Sequence, residues 1–156
     1  MVWLVGLGGK PGTTRESSGV MHTLTVADMM TTKLKTLHMD ESVKDADWDM
    51  VIGGFRHIPV IDRDHRLVGM VSDRDVLRRH EATTSIVSVM TRDVHAVLPN
   101  VPALEACEHL LMSKQSALPV VDSNRTLLGI VTTTDFLELA RRALSGDDIR
   151  TPHVRA

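Results

Sequence analysis

Residues 69–75 read Gly-Met-Val-Ser-Asp-Arg-Asp and residues 129–135 read Gly-Ile-Val-Thr-Thr-Thr-Asp, so one strand-to-helix signature recurs sixty residues later. The register extends in both directions from it. Met30-Thr31 matches Met90-Thr91, Ala46 matches Ala106, Pro59-Val60 matches Pro119-Val120, Asp62 matches Asp122, and Leu77 matches Leu137. Self-similarity at a fixed offset reports architecture ahead of any residue-level reading. Two copies of one small unit imply a pseudo-symmetric pair with two corresponding sites.

A chain of 156 residues can bury roughly 70% of the surface its unfolded form exposes, whereas each copy alone would be marginal; a shared core is expected. Hydrophobic content of 42% and charged content of 24% are ordinary for a globular protein, but aromatics make up 3% and there is no Tyr, so the core must be aliphatic and Met-rich. The formal net charge of -2 lacks the basic excess that phosphate-backbone binding requires, which argues against nucleic acid. Cys107 is the single cysteine and cannot form an intramolecular disulfide. It fits a small hydrophobe on a helix and a reduced, cytoplasmic setting.

Residues 1–23 are expected to be a flexible leader. The apolar stretch 1–9 is far shorter than the about 20 residues needed to span a bilayer, and no basic residue precedes it as a signal peptide requires; no membrane association is expected. The segment 8–13, Gly-Gly-Lys-Pro-Gly-Thr, lacks the spacing of a phosphate loop. The rest of the leader is rich in Gly, Ser and Thr, and Met21 stands just before the repeat.

Each copy alternates periods in one order. A short helix (26–30; 86–90) leads into a brief strand (34–39; 94–98). A helix follows in which Val43, Ala46, Met50 and Val51, and then Ala103, Ala106, Leu110 and Leu111, mark one buried stripe. Asp40 or Ser42 can cap the first of these helices and Gly53-Gly54 ends it. Strands 57–61 and 117–121 each carry a proline, which places that position at an edge or a cleft. Polar turns 62–66 and 122–125 return each into a second strand (67–72; 127–132), a hairpin by pattern, and a second helix follows at once (73 to about 79; 133 to about 144). The expected division is repeat 1 over 24–80, a linker over 81–84, repeat 2 over 85–144 and a mobile tail over 145–156.

The candidate site is the strand-to-helix junction: Gly69, Ser72 and Asp75 in the first copy, Gly129, Thr132 and Asp135 in the second. One reading is a capping box, because Ser or Thr followed three residues later by an acid satisfies backbone N–H groups reciprocally. The other is an anion site at a helix start, with a carboxylate able to accept ribose hydroxyls. The two can coexist. Each Gly removes bulk where a flat group could approach the strand, and Ile58 and Leu118 on the proline-bearing strands offer apolar walls, so an adenine-sized cleft is expected. The eight histidines show no metal-ligand spacing, and no Ser-His-Asp or Cys-His arrangement is brought together by the repeat.

Asp-Met-Met-Thr (28–31), Phe-Arg-His-Ile-Pro-Val-Ile-Asp (55–62) and Leu-Val-Gly-Met-Val-Ser-Asp-Arg-Asp-Val-Leu (67–77), with their second copies, resemble a cystathionine beta-synthase (CBS) domain pair, also called a Bateman module. The likeness covers about residues 24–143. It implies an α/β (α+β) fold of two pseudo-symmetric β-α-β-β-α repeats packed sheet to sheet, and commonly a disc-shaped homodimer. In such a family the clefts bind adenosyl ligands such as AMP, ADP, ATP, S-adenosylmethionine or NAD, and in some members cyclic dinucleotides. Carried onto this chain, Asp75 and Asp135 would hold ribose hydroxyls, Ser72 and Thr132 phosphate or ribose oxygen, and Ile58-Pro59 and Leu118-Pro119 would flank adenine. Arg74 stands opposite Thr134, so the first cleft alone gains a flexible phosphate donor. His57, opposite Ala117, could also reach the first cleft. Asp47 and Trp48 depart from the small or aliphatic residues more usual there, and the acidic run Asp45, Asp47, Asp49 reads as a solvated face.

The expectation that follows is a stand-alone regulatory CBS pair, not an enzyme, with no obligatory cofactor. It would sense an adenine nucleotide or another adenosyl ligand and relay its occupancy to a protein partner through dimer geometry. A ligand-independent dimerisation or docking module, in which the Ser/Thr and Asp residues are only caps, is the alternative.

Overall fold

The computed structural model describes residues 3–5, 23–78 and 83–149. Most of the expected leader, the start of the linker, the expected end of the second helix of repeat 1 and residues 150–156 of the tail lie outside the described residues. Within the leader expected to be flexible, Trp3–Val5 of the apolar stretch form a strand, β1.

The first repeat contributes β2 (Leu37–His38), α1 (Val43–Gly53), the hairpin β3 (His57–Ile61) and β4 (Leu67–Ser72), and α2 (Asp73–Leu77). The second contributes β5 (His95–Val97), α3 (Ala103–Ser113), β6 (Ala117–Val121), β7 (Leu127–Thr132) and α4 (Thr133–Leu144). One sheet has the order β2-β3-β4 and the other β1-β5-β6-β7, with β1 and β5 parallel. The helices and sheets of the two copies therefore match the expected α+β fold, and β2 and β5 are shorter than the sequence suggested.

The copies agree down to their backbone exceptions. His65 and Arg125 close the hairpin turns with φ of 58° and 69°. Gly54 and Lys114 occupy the left-handed position after α1 and α3, with φ of 67° and 54°. Glycine adopts that conformation freely and lysine does so against its preference.

The prolines sit in β3 and β6, which are inner strands, yet the ladder rule is not broken. The parallel neighbours pair with β3 at Val60 and Ile61 and with β6 at Val120, beyond each proline, so the missing N–H is not demanded there. Pro59 and Pro119 are both buried.

Each repeat lends its opening segment to the core of the other. The short 3-10 helix Val26–Asp28 lies on the second repeat: Val26 N–H donates to Val101 O at 2.9 Å, and Thr31 and Ile130 exchange two backbone hydrogen bonds at 2.9 and 3.0 Å. Its counterpart Ile86–Ser88 lies on the first repeat, where Ile86 N–H donates to Glu41 O at 3.0 Å and Thr91 and Met70 exchange a similar pair. Val26 is fully buried among Val97, Leu118 and Val131, and Ile86 among Leu37, Ile58 and Val71. Burying each such side chain contributes about 1.5–3 kcal/mol, so the exchange ties each copy to the other's core.

A third cluster, with Leu67, Met70, Ala96, Ala117, Val121 and Ile130, fills the space between the sheets. At its margin Leu67 N–H donates to Arg125 O and Leu127 N–H to His65 O, which joins the two hairpins directly. The sheet-to-sheet packing expected from the repeat is thus the shared core.

One part of the expected helix stripe is wrong. Val43, Ala46 and Met50 are buried, as are Ala103, Ala106 and Leu110, but Val51 and Leu111 are 72% and 73% exposed. At about 100° per residue, position i+8 lies well round the helix from the stripe that the other three define.

Candidate functional site

At each junction the strand hands directly to the helix. Ser72 N–H and Oγ donate to Asp75 Oδ2 at 2.9 and 2.6 Å, and Thr132 N–H and Oγ1 donate to Asp135 Oδ2, both at 2.7 Å. The residue before the neighbouring strand closes the arrangement, because Arg56 O accepts Asp73 N–H and Ser116 O accepts Thr133 N–H, each at 3.0 Å. The capping box is therefore real in both copies.

Capping alone leaves something unexplained. The same box is built at Thr25/Asp28 and Ser42/Asp45, yet the positions sixty residues later are Ser85/Ser88 and Pro102/Glu105, where the equivalent elements form without it. The scaffold tolerates loss of the box at those two starts. At Ser72/Asp75 and Thr132/Asp135 both copies keep it, which favours a second use for the carboxylates.

The structure bears on four of the residues expected to shape the cleft, two walls and two glycines. Ile58 and Leu118 are fully buried, packed into the cores beneath α1 and α3, so their side chains do not face a cleft. Gly69 and Gly129 do not leave open space for a flat group. A Cβ on Gly69 would stand 2.6 Å from Met90 Sδ and 3.0 Å from Thr91 O, and one on Gly129 would stand 2.8 Å from Met30 Sδ and 3.0 Å from Thr31 O. These glycines admit the exchanged backbone segments. At the junctions, Ser72, Asp75, Thr132 and Asp135 remain half-buried, while Arg74 and Thr134 are exposed. Arg74 N–H donates to Asp73 Oδ1 at 2.8 Å. The second helix of repeat 1 spans Asp73–Leu77 with Arg78 as its C-cap.

His57 does join the first junction. It pairs across the hairpin with Ser72, and burial holds its proton affinity below the usual histidine range; Asp73 and Asp75 oppose that effect and Arg74 and Arg56 add to it. Its Nε2 lies 3.2 Å from Ser116 Oγ of the second repeat. Ser116 escaped the sequence reading because its counterpart is Arg56, so the repeat comparison offered no matching polar residue.

An open cavity of about 730 Å³ lies at the other end of β3, lined by residues 38–41 and 61–64. It does not include the junctions. No cluster of three or more His, Cys, Asp or Glu able to hold a metal is found among the described residues. Among them, no helix is long and apolar enough to cross a membrane.

Comparison with known proteins places this arrangement. The CBS domain family matches residues 26–81 and 86–142. A Vibrio cholerae protein assigned to acetoin utilization, AcuB, superposes with a TM-score of 0.73 at 34% identity, covering 79% of this chain and 94% of that one. CBSX2, solved in complex with AMP, gives 0.71 at 30% identity, with 77% and 98% covered. The CBS domain pair of MJ0100, solved with 5-methylthioadenosine and S-adenosyl-L-methionine, gives 0.73 at 25% identity, with 78% and 98% covered. Similar curated proteins include a homoserine O-acetyltransferase of Methanococcoides burtonii, 34% identical over 115 residues, and an inosine-5'-monophosphate dehydrogenase of Methanocaldococcus jannaschii, 33% identical over 103 residues. The chain matches 73% and 66% of its own length to these but spans only 24% and 21% of theirs. With both repeats matched, over residues 26–81 and 86–142, the chain belongs to the CBS domain family.

Proposed function

We propose that this chain is a regulatory CBS pair that binds an adenosine-containing ligand, such as AMP, ADP, ATP, S-adenosylmethionine or NAD, at its two strand-to-helix junctions. The observation that carries this reading is the half-buried Ser/Thr–Asp pair kept at both junctions, although other starts in the scaffold do without it. Structural neighbours solved with AMP and with S-adenosylmethionine support the ligand class. In this reading a carboxylate accepts the ribose hydroxyls, Ser72 or Thr132 contacts a ribose or phosphate oxygen, and Arg74 adds a guanidinium to the first cleft only. Ile58-Pro59 and Leu118-Pro119 contribute backbone at the strand starts, not side-chain walls.

Output then passes through a homodimer to a protein partner, in a cytoplasmic setting. Trp48, Val51 and Ile52 on α1 with Leu77 on α2, and Leu104, Leu111 and Met112 on α3 with Leu137 on α4, are all at least 66% exposed. Monomers rarely leave apolar rows of that kind in water. A self-complementary contact through these helices would cover them, and ligand that fits one dimer geometry better than another would bias it by that difference in affinity. The same exposed faces favour the second reading, a docking module that needs no ligand.

Calorimetric titration of the chain with AMP, ADP, ATP, S-adenosylmethionine, NAD and cyclic di-AMP separates the two. Saturable binding of an adenosyl ligand is expected, and heats of dilution alone for the whole panel would leave only the docking reading.

A further inference from the structure

The two junctions are not independent walls of separate clefts, because one side-chain contact joins them. His57 opens β3 and sits in register with Ser72, the cap residue of the first junction. Ser116 precedes β6, and its carbonyl accepts Thr133 N–H in the first turn of α4, so its backbone is fixed to the second junction. The 3.2 Å between His57 Nε2 and Ser116 Oγ therefore spans from one candidate cleft to the other. The sixty-residue offset pairs His57 with Ala117 and Ser116 with Arg56, so repetition alone does not account for this contact.

Resting on the adenosyl-binding reading above, we propose that the His57–Ser116 contact couples the two clefts, so that a ligand in one raises the affinity of the other. Both partners stand where a ligand would compete for them. His57 is half-buried at the first junction with Asp73, Arg74 and Asp75 of α2 and Arg56 of β3's approach around it, and Ser116 is exposed at the second. A nucleoside that takes His57 Nε2, or turns the Ser116 hydroxyl toward itself, releases the other partner. The loss of the contact falls on whichever ligand arrives first; the second ligand meets a partner already released. Linkage makes the effect reciprocal. A hydrogen bond of ordinary net strength corresponds to roughly two- to tenfold coupling.

Protonation sets a condition on the contact. A neutral imidazole can accept the Ser116 hydroxyl proton at Nε2 or, in the other tautomer, donate to Oγ; an imidazolium can only donate. Burial of His57 favours the neutral ring, so the contact is available in both senses near neutral pH.

The test is calorimetric titration of the full chain with AMP and, separately, with S-adenosylmethionine, comparing wild type with His57→Ala and Ser116→Ala. Thermal melts of each variant verify folding, and the exposed Ser116 gives a variant that leaves the core untouched. The expected result is two sites in the wild type, the second filled roughly two- to tenfold more tightly than independence allows, and two independent sites in both variants. Two independent sites in the wild type, a single site, or cooperativity unchanged by either substitution would overturn the coupling while leaving the adenosyl-binding reading in place. Failure of the wild type to bind either probe would overturn that reading, and the coupling with it.

Discussion

Gly69→Ala probes the exchange that holds the two repeats together. Gly69 does not occupy the left-handed region, so alanine meets no conformational penalty there, and loss of unfolded-state freedom would stabilise the variant by about 0.4–1 kcal/mol. Against that, the new Cβ lies 2.6 Å from Met90 Sδ and 3.0 Å from Thr91 O. Met90 can swing its thioether aside, though it is only 8% exposed and packed in the core. Thr91 O cannot retreat freely, because it accepts Met70 N–H at 2.9 Å while Thr91 N–H donates to Met70 O at 2.8 Å. Overpacking costs about 1–3 kcal/mol, and weakening one of those hydrogen bonds costs up to about 1.5 kcal/mol more. A net loss of about 1–2 kcal/mol is expected. Urea denaturation followed by far-UV circular dichroism should show a midpoint lowered by roughly 0.5–1 M with an unchanged slope. The cost should shrink in a Met90→Ala background, since that change removes the nearer obstacle. A midpoint equal to or above wild type would refute the close approach of the exchanged segment.

Arg74→Thr copies the second junction into the first; ATP and ADP should bind about tenfold more weakly at one site while adenosine is unaffected, the difference between a bidentate cation and one neutral donor. Equal losses for ATP and adenosine, or none, would show that Arg74 does not read phosphate. Light scattering should report a dimer at micromolar concentration, and Val51→Asp with Leu111→Asp should return a monomer with its melting temperature nearly intact, since both positions are exposed; a wild-type monomer counts against the interface. His57 is held below its ordinary value chiefly by burial. The unfolded chain therefore binds that proton more readily, and stability falls as pH drops from about 6.5 toward the lower folded value. His57→Gln should flatten the urea midpoint between about pH 7.5 and 5.5, and an unaltered slope there would mean that His57 is not a source of the dependence.

Much of this fold was legible because it is local and repeated. The hairpins, the helix end at Gly54 and the junction caps follow from turn, glycine and capping chemistry that a short window contains. The exchange was not legible. Val26 and Ile86 open the two repeats, yet each fills the core of the other, and no periodicity marks which half a short 3-10 helix will join. That hidden partner explains why Gly69 and Gly129 read as room for a ligand when they are room for Thr91 and Thr31. Ile58 and Leu118 were misplaced for a related reason: alternation along a strand fixes which residues share a face, not which face meets a helix. The Ser/Thr–Asp pairs were found from spacing, whereas Ser116 was hidden because the two copies differ there.

The most direct test of the ligand assignment is to titrate Asp135→Ala beside the wild type with the adenosyl ligand that binds best, and to melt both proteins. Losing a hydrogen-bond acceptor that is charged should weaken binding at one site by about 1.5–3 kcal/mol, with at most about 1 kcal/mol of stability lost with the cap. A lowered melting temperature with unchanged affinity would make Asp135 a cap and nothing more, and would contradict binding at these junctions.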